Sequence, residues 1–167
     1  YRDVQRNTHW VSLASAYALG DCFKIQASAL ATIVDEEERG RDEVPDKFKV
    51  TPAVFLSYKP FERADLVLRA FYKQSYRMPT FNDLYYTDMG NAYLKPELAK
   101  QHNVGLSFAQ PFRVANLHGS EFRINADYYY HRISDTIIAY PQGQQFRWTL
   151  LNLGLVKIHG LDVHTHL

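Results

Sequence analysis

"EFRINADYYYH", residues 121–131, alternates along its whole length. Phe122, Ile124, Ala126, Tyr128 and Tyr130 occupy one parity; Arg123, Asn125, Asp127, Tyr129 and His131 occupy the other. Successive side chains of a strand point to opposite faces, so this spacing predicts a β-strand with one apolar and one polar side. The period recurs upstream. In residues 22–33, Phe23, Ile25, Ala27, Ala29, Ala31 and Ile33 alternate with Lys24, Gln26, Ser28 and Thr32. In residues 47–59, Phe48, Val50, Val54, Leu56 and Tyr58 oppose Lys47, Lys49, Thr51 and Ser57. Residues 8–19, 65–73 and 101–109 follow the rule less strictly, with Trp10 out of pattern and Val67 and Phe71 on the polar parity. A last strand is expected over 150–167, with Gly154 and Gly160 marking bends or bulges, and Pro52 predicts a bulge in the third strand. The expectation is all-β: an antiparallel meander of seven strands with no helix.

The connections carry a second regularity. Gly20, residues 60–64 and residues 110–119 supply short or intermediate links, whereas residues 35–46, 75–100 and 134–147 are read as long loops. Alternation of short and long links puts the long loops at one rim of the meander. The aromatics on the apolar parity sort the same way. Tyr17, Phe23, Tyr58, Phe108 and Phe122 lie near the short links, and Phe48, Tyr72, Tyr128 and Tyr130 lie near the long ones. Two aromatic girdles flanking an aliphatic band suit an outward face that meets water at both borders of a bilayer. On this reading Ile25, Val50, Leu68, Leu106 and Ile124 face lipid, and Lys24, Lys49, Arg69, Asn103, Arg123 and Asp127 face inward. The competing architecture is a soluble β-sandwich that binds glycan or protein through Tyr-rich loops, and it requires two packed sheets.

Composition is compatible with the barrel. The 167 residues carry 19 Lys and Arg against 18 Asp and Glu, a balance without the basic excess of a nucleic-acid binder. Aromatics make up 14%, and 12 of them are Tyr, a residue of strands and of membrane borders. No apolar run reaches the roughly 20 residues of a membrane helix. Mean hydropathy is −0.35, but alternating lipid-facing and lumen-facing positions average out in such a barrel. Cys22 is single, so no intrachain disulfide is expected, and Tyr1-Arg2-Asp3 reads as the interior of a longer protein.

Residues 75–103 then become specific. "YRMPTFNDLYY", residues 76–86, followed by "GNAYLKPE", residues 90–97, resembles the paired signature in the barrel of TonB-dependent outer-membrane receptors. Arg77, Pro79, Thr80, Asp83, Leu84 and Tyr85 match its first part; Gly90, Asn91, Leu94, Lys95, Pro96 and Glu97 match its second. "FRWTLLNLGLVKIHGLDV", residues 146–163, resembles a later strand of the same family. The resemblance covers residues 60–167 well. It implies that residues 1–167 are part of the wall of a 22-stranded transmembrane barrel, with the plug domain, energy-coupling box and closing strands outside these residues. It further implies import of a scarce large nutrient (cobalamin, an iron–siderophore or haem) with energy from the TonB system. The implied partners are outer-membrane lipid, the TonB complex acting through the plug, and the nutrient itself, in the bacterial outer membrane.

The residues of the motif also carry readable physics. Pro79 fixes its own φ and pushes Met78 toward extended geometry. Pro96 does the same to Lys95 and returns the chain to the sheet, and Gly90-Asn91 supplies turn formers. The motif residues are therefore expected to act as a structural clip at the outer rim. Tyr85, Tyr86, Tyr93, Tyr140, Arg147 and Trp148 are the candidate nutrient contacts, because rigid rings with polar tips give large contact area at low entropic cost. His159, His164 and His166 lack the spacing of a structural zinc site, and residues 35–43 read as a solvated acidic loop. No catalytic arrangement, metal site or cofactor is expected.

Overall fold

The computed structural model describes residues 4–38, 48–62, 65–114, 117–143 and 147–166. Seven strands, β1 (Val4–Leu19), β2 (Phe23–Glu38), β3 (Phe48–Tyr58), β4 (Asp65–Arg77), β5 (Glu97–Val114), β6 (Leu117–Gln142) and β7 (Arg147–His166), form a single sheet in chain order. Every neighbouring pair is antiparallel. A sandwich would need a second sheet, and the described strands supply only this one.

Direct partners across a ladder share a face, so the registers join the parities of separate strands. One row reads Tyr17, Ile25, Leu56, Ala70, Val104, Tyr128 and Leu161. The next row, on the opposite face, reads Ala18, Lys24, Ser57, Arg69, Gly105, Asp127 and Asp162. Ile25, Val50, Leu68, Leu106 and Ile124 thus lie on one face, and Lys24, Lys49, Arg69, Asn103, Arg123 and Asp127 lie on the other. Trp10, whose partner is Thr32, belongs to the polar face. The apolar face is open: Leu13 is 77% exposed, Leu161 66% and Val104 62%. Isolated exposed apolar residues are ordinary, but a contiguous sheet face of them marks a surface that meets something other than water.

Several expectations change. The first concerns helices: a short one, α1 (Phe81–Tyr85), interrupts the meander inside the long connection after β4. The stretch 134–147 is not a long loop, because β6 and β7 remain paired as far as Gln142 and Arg147. Residues 110–119 are likewise mostly strand, with a register shift between Phe112 and Val114. Asp35–Glu38 is not loop either; it pairs with Val4–Asn7, and the remainder of that acidic stretch lies outside the described residues. Pro52 causes no bulge against β2, where it pairs with Ala29 in unbroken register. Instead the β3–β4 ladder starts only at Ala53, next to the residue that lacks an N–H. Gly160 pairs with Tyr129 in regular register and leaves room for that ring; a Cβ there would collide with it. Gly154 falls opposite Asp135, whose φ of 55° breaks the ladder locally.

Candidate ligand rim and motif loop

Residues 78–96 leave β4, form α1 and return to β5. Thr80 caps the helix: its hydroxyl accepts from the Asp83 N–H at 3.1 Å, and the Asp83 carboxylate accepts from the Thr80 N–H at 2.9 Å. This reciprocal box satisfies donors that a helix start leaves unpaired. The helix stops at Tyr86, whose backbone is extended. The chain then folds back on itself so tightly that a Cβ on Gly90 would lie 2.5 Å from the Tyr86 nitrogen and 2.7 Å from its oxygen. Only a residue without a side chain fits. Asn91 closes the turn, donating its backbone N–H to the Asp83 carbonyl at 2.9 Å and accepting from the Tyr93 N–H at 3.0 Å.

The loop is fastened to the β6–β7 hairpin. The Asn91 amide donates to the Leu150 carbonyl at 2.9 Å, and the Leu150 N–H donates to the Met89 carbonyl at 3.0 Å. Asn152 accepts from the Lys95 N–H at 2.8 Å and donates to the carbonyls of Lys95 and Asp135. Glu97 accepts from Arg77 Nε at 2.7 Å on one oxygen and from the Ile137 N–H on the other. Pro79, Leu84, Leu94 and Pro96 are buried beneath these bonds, and the Tyr85 ring lies tilted beside Phe81, centroids 6.2 Å apart. A second fastening comes from β1. Arg6 donates to the Pro79 carbonyl at 2.6 Å, sits 4.8 Å from the Phe81 ring centroid, and pairs with the fully buried Glu36 at 2.8 Å.

The six candidate contacts do not form one cluster. Tyr86 and Tyr93 are exposed on the loop, Tyr93 at 85%. Tyr140, Arg147 and Trp148 stand on the hairpin, where Tyr140 pairs with Thr149, Gln142 with Arg147 and Pro141 with Trp148. Tyr140 and Arg147 therefore share one face, and Trp148 takes the other. On the polar face of the sheet a hollow of about 550 Å³ is lined by Lys24, Gln26, Phe55, Arg69, Phe71, Asn103 and Asp127, among others. Phe55 and Phe71 meet there with ring centroids 5.5 Å apart. A second hollow of about 430 Å³ near the motif loop is lined by Arg6, Trp10, Thr51, Lys73 and Arg77, among others. His164 and His166 share the polar face and His159 the apolar one. No group of three metal-ligating side chains is assembled among the described residues.

A family model described as TonB dependent receptor-like, beta-barrel, matches residues 28–165. The chain belongs to the TonB-dependent receptors. Over 88 residues this receptor chain is 35% identical to the vitamin B12 transporter BtuB of Vibrio vulnificus (strain YJ016), a stretch that covers 53% of the chain and 13% of that relative. It thus spans a small part of the relative's length. Its fold is similar to that of the Serratia marcescens hemophore receptor HasR, solved as a double mutant with its hemophore HasA and heme. There the TM-score is 0.74 at 14% identity, covering 96% of this chain and 31% of HasR. The copper transporter OprC is similar at a TM-score of 0.72 and 14% identity, covering 96% of this chain and 26% of OprC.

Placed in this TonB-dependent receptor, the matched residues divide by environment. Pro79, Leu84, Leu94 and Pro96 are interior, whereas Arg77, Thr80, Asp83, Gly90, Asn91, Lys95 and Glu97 owe their placement to hydrogen bonds or close backbone approach. Sequence reading missed Arg6, Glu36 and Asn152. Asn152 was signalled by its place in the later-strand resemblance; the Arg6–Pro79 contact, 73 residues apart, has no local signature. The Thr80–Asp83 spacing was a readable capping signal for α1.

Proposed function

We propose that this chain is part of the barrel wall of a bacterial outer-membrane receptor that binds a scarce, large nutrient and imports it with energy delivered by TonB to a plug outside these residues. The observation that carries the reading is the register that aligns apolar rows on one face of the seven-stranded sheet and charged rows on the other. Membership in the receptor family supports the same assignment. Cobalamin is the first ligand to test, supported by the 35% identity to a vitamin B12 transporter; iron–siderophores and haem follow from the wider family. The protein carries out no catalysis.

In this reading the motif residues Arg77, Pro79, Thr80, Asp83, Leu84, Tyr85, Gly90, Asn91, Leu94, Lys95, Pro96 and Glu97 clip the rim loop to the hairpin. Tyr86, Tyr93, Tyr140, Arg147 and Trp148, with Tyr85 behind them, meet the nutrient from two sides of the rim. The test is deletion of the complete gene, followed by uptake of labelled cobalamin, haem and a panel of iron–siderophores. Loss of one uptake, restored by the gene only when TonB is present, supports the function. Undiminished uptake of all three classes would overturn it.

A further inference from the structure

The apolar face of β4–β7 concentrates its charge in one register row. Gln74, Lys100, Arg132 and Lys157 are successive direct partners across the four strands, and the three cations are exposed. Along the same parities, through residues 66–76, 98–110, 122–134 and 155–165, there is no Asp or Glu and no other Lys or Arg. Among the described residues Lys100, Arg132 and Lys157 meet no carboxylate. Arg6, Lys59, Arg69, Arg77 and Arg123 each meet one, whereas among the described residues Lys24, Lys49, Lys73, Lys95 and Arg147 do not, so what sets this row apart is its alignment on an otherwise uncharged face.

Position makes the row informative. Directly below it Tyr72, His102, Tyr130 and His159 are aligned, with Tyr72–His102 and His102–Tyr130 ring centroids 4.9 and 6.2 Å apart. Gln74 joins the two rows by a hydrogen bond to the Tyr72 hydroxyl. Phe122, at the opposite border of the apolar face, lies ten residue steps from Arg132 on the same strand. That is the span of about 9–11 residues that a tilted strand needs to cross a bilayer. The cations therefore stand where the apolar band ends, one step beyond an aromatic row, at headgroup depth. Neighbouring strands are about 4.8 Å apart, so the three charges fall within roughly 10 Å of one another.

We propose that Lys100, Arg132 and Lys157 form a binding row for the phosphates of an anionic lipid headgroup in the outer leaflet. This rests on the reading of the apolar face as the membrane face. Arg132 presents a planar fork suited to two phosphate oxygens, and the two flanking Lys residues act as point charges. The absence of carboxylates on this face of the four strands, over residues 66–76, 98–110, 122–134 and 155–165, leaves the headgroup as the counterion. Tyr72 and Tyr130 lie against the boundary between headgroup and acyl chain, where amphipathic rings are favoured.

The test uses the full-length receptor, purified and placed in neutral phosphatidylcholine bicelles doped with fluorescent diphosphoryl lipid A. A Lys100→Gln/Arg132→Gln/Lys157→Gln variant is expected to retain at least tenfold less lipid A than the parent. A Lys24→Gln/Lys49→Gln variant, altered on the opposite face, is expected to retain it fully. Dephosphorylated lipid A should bind the parent as weakly as the triple variant binds the phosphorylated form, and inorganic phosphate alone should not compete at millimolar concentration. Equal retention by parent and triple variant would overturn the proposal, as would equal retention of dephosphorylated lipid or displacement by free phosphate. Heat-modifiable migration of each variant from outer-membrane fractions is scored separately. A parent protein that never enters the membrane overturns the barrel reading and this proposal with it; an inserted barrel with an indifferent triple variant overturns only the lipid row.

Discussion

Arg69 and Asp127 stand on β4 and β6, strands that never pair, yet their side chains meet at 3.3 Å across Gly105 of the strand between them. A Cβ on Gly105 would collide with the Asp127 carboxylate. That obstacle is the movable end of a side chain, and the pair is substantially exposed, so a pairing of this kind is worth about 0–1 kcal/mol. Gly90 differs, because its Cβ would strike backbone atoms of Tyr86 and Leu84 that have no room to yield. Gly105→Ala should therefore lower stability by about 1 kcal/mol or less, whereas Gly90→Ala should cost about 1–3 kcal/mol, the range for overpacking. Hydrogen exchange across residues 78–96 separates the two, with rapid exchange expected only for Gly90→Ala.

Asn152 makes three hydrogen bonds that hold residues 95 and 135 together. At about 0.5–1.5 kcal/mol each, Asn152→Ala should loosen the loop by roughly 2–4 kcal/mol while leaving the barrel assembled. Asn152→Asp keeps the acceptor for the Lys95 N–H and should fall between. Limited proteolysis within residues 78–96 of the membrane-embedded receptor gives the order directly; a loop cut no faster in the alanine variant would show that these bonds do not hold it.

On the proposed reading the rim that carries the long link of residues 78–96 faces outward, although the link between Gln142 and Arg147 at that rim is short. Single cysteines in the loop of residues 78–96 should react with an impermeant maleimide on intact cells, in a Cys22→Ser background. Cysteines at Phe61 or Glu62 should react only after the outer membrane is opened. Reversed labelling would invert the barrel.

Tyr85→Ala, Tyr86→Ala and Trp148→Ala combined should weaken nutrient binding at least tenfold, about 1.4 kcal/mol, in a receptor shown to be assembled. Binding measured on the purified receptor decides this. Unchanged affinity would move recognition to the plug or to strands beyond these residues.

How much of this was legible depended on what water does to each segment. In β2, β3 and β6, one face is built mainly of apolar residues and the other mainly of polar ones, so the period of two is written in the sequence itself. The extension of β6 beyond Ser134 has adjacent Ile137 and Ile138, a Pro141 and no clean alternation, so it reads as loop although it is paired strand. Five residues of α1 are too few to show a helical period, leaving only the Thr80–Asp83 box as a local sign. The Arg6–Pro79 contact joins segments 73 residues apart, and nothing in either segment alone encodes the meeting. The motif residues were legible as a group, whereas the split of Tyr140 and Trp148 onto opposite faces of the hairpin emerged only from the register.

The most direct measurement compares Ile124→Arg with Asn125→Arg, neighbours on β6 that the register assigns to opposite faces. An Arg on the lipid face near mid-membrane costs about 2–4 kcal/mol. Asn125→Arg gives up the hydrogen bond from the Ser107 hydroxyl, about 1 kcal/mol, on the polar side. The yield of heat-modifiable, folded receptor in the outer membrane should therefore fall sharply for Ile124→Arg and stay close to the parent for Asn125→Arg. Equal yields, or the opposite order, would contradict the assignment of this sheet to a transmembrane barrel wall.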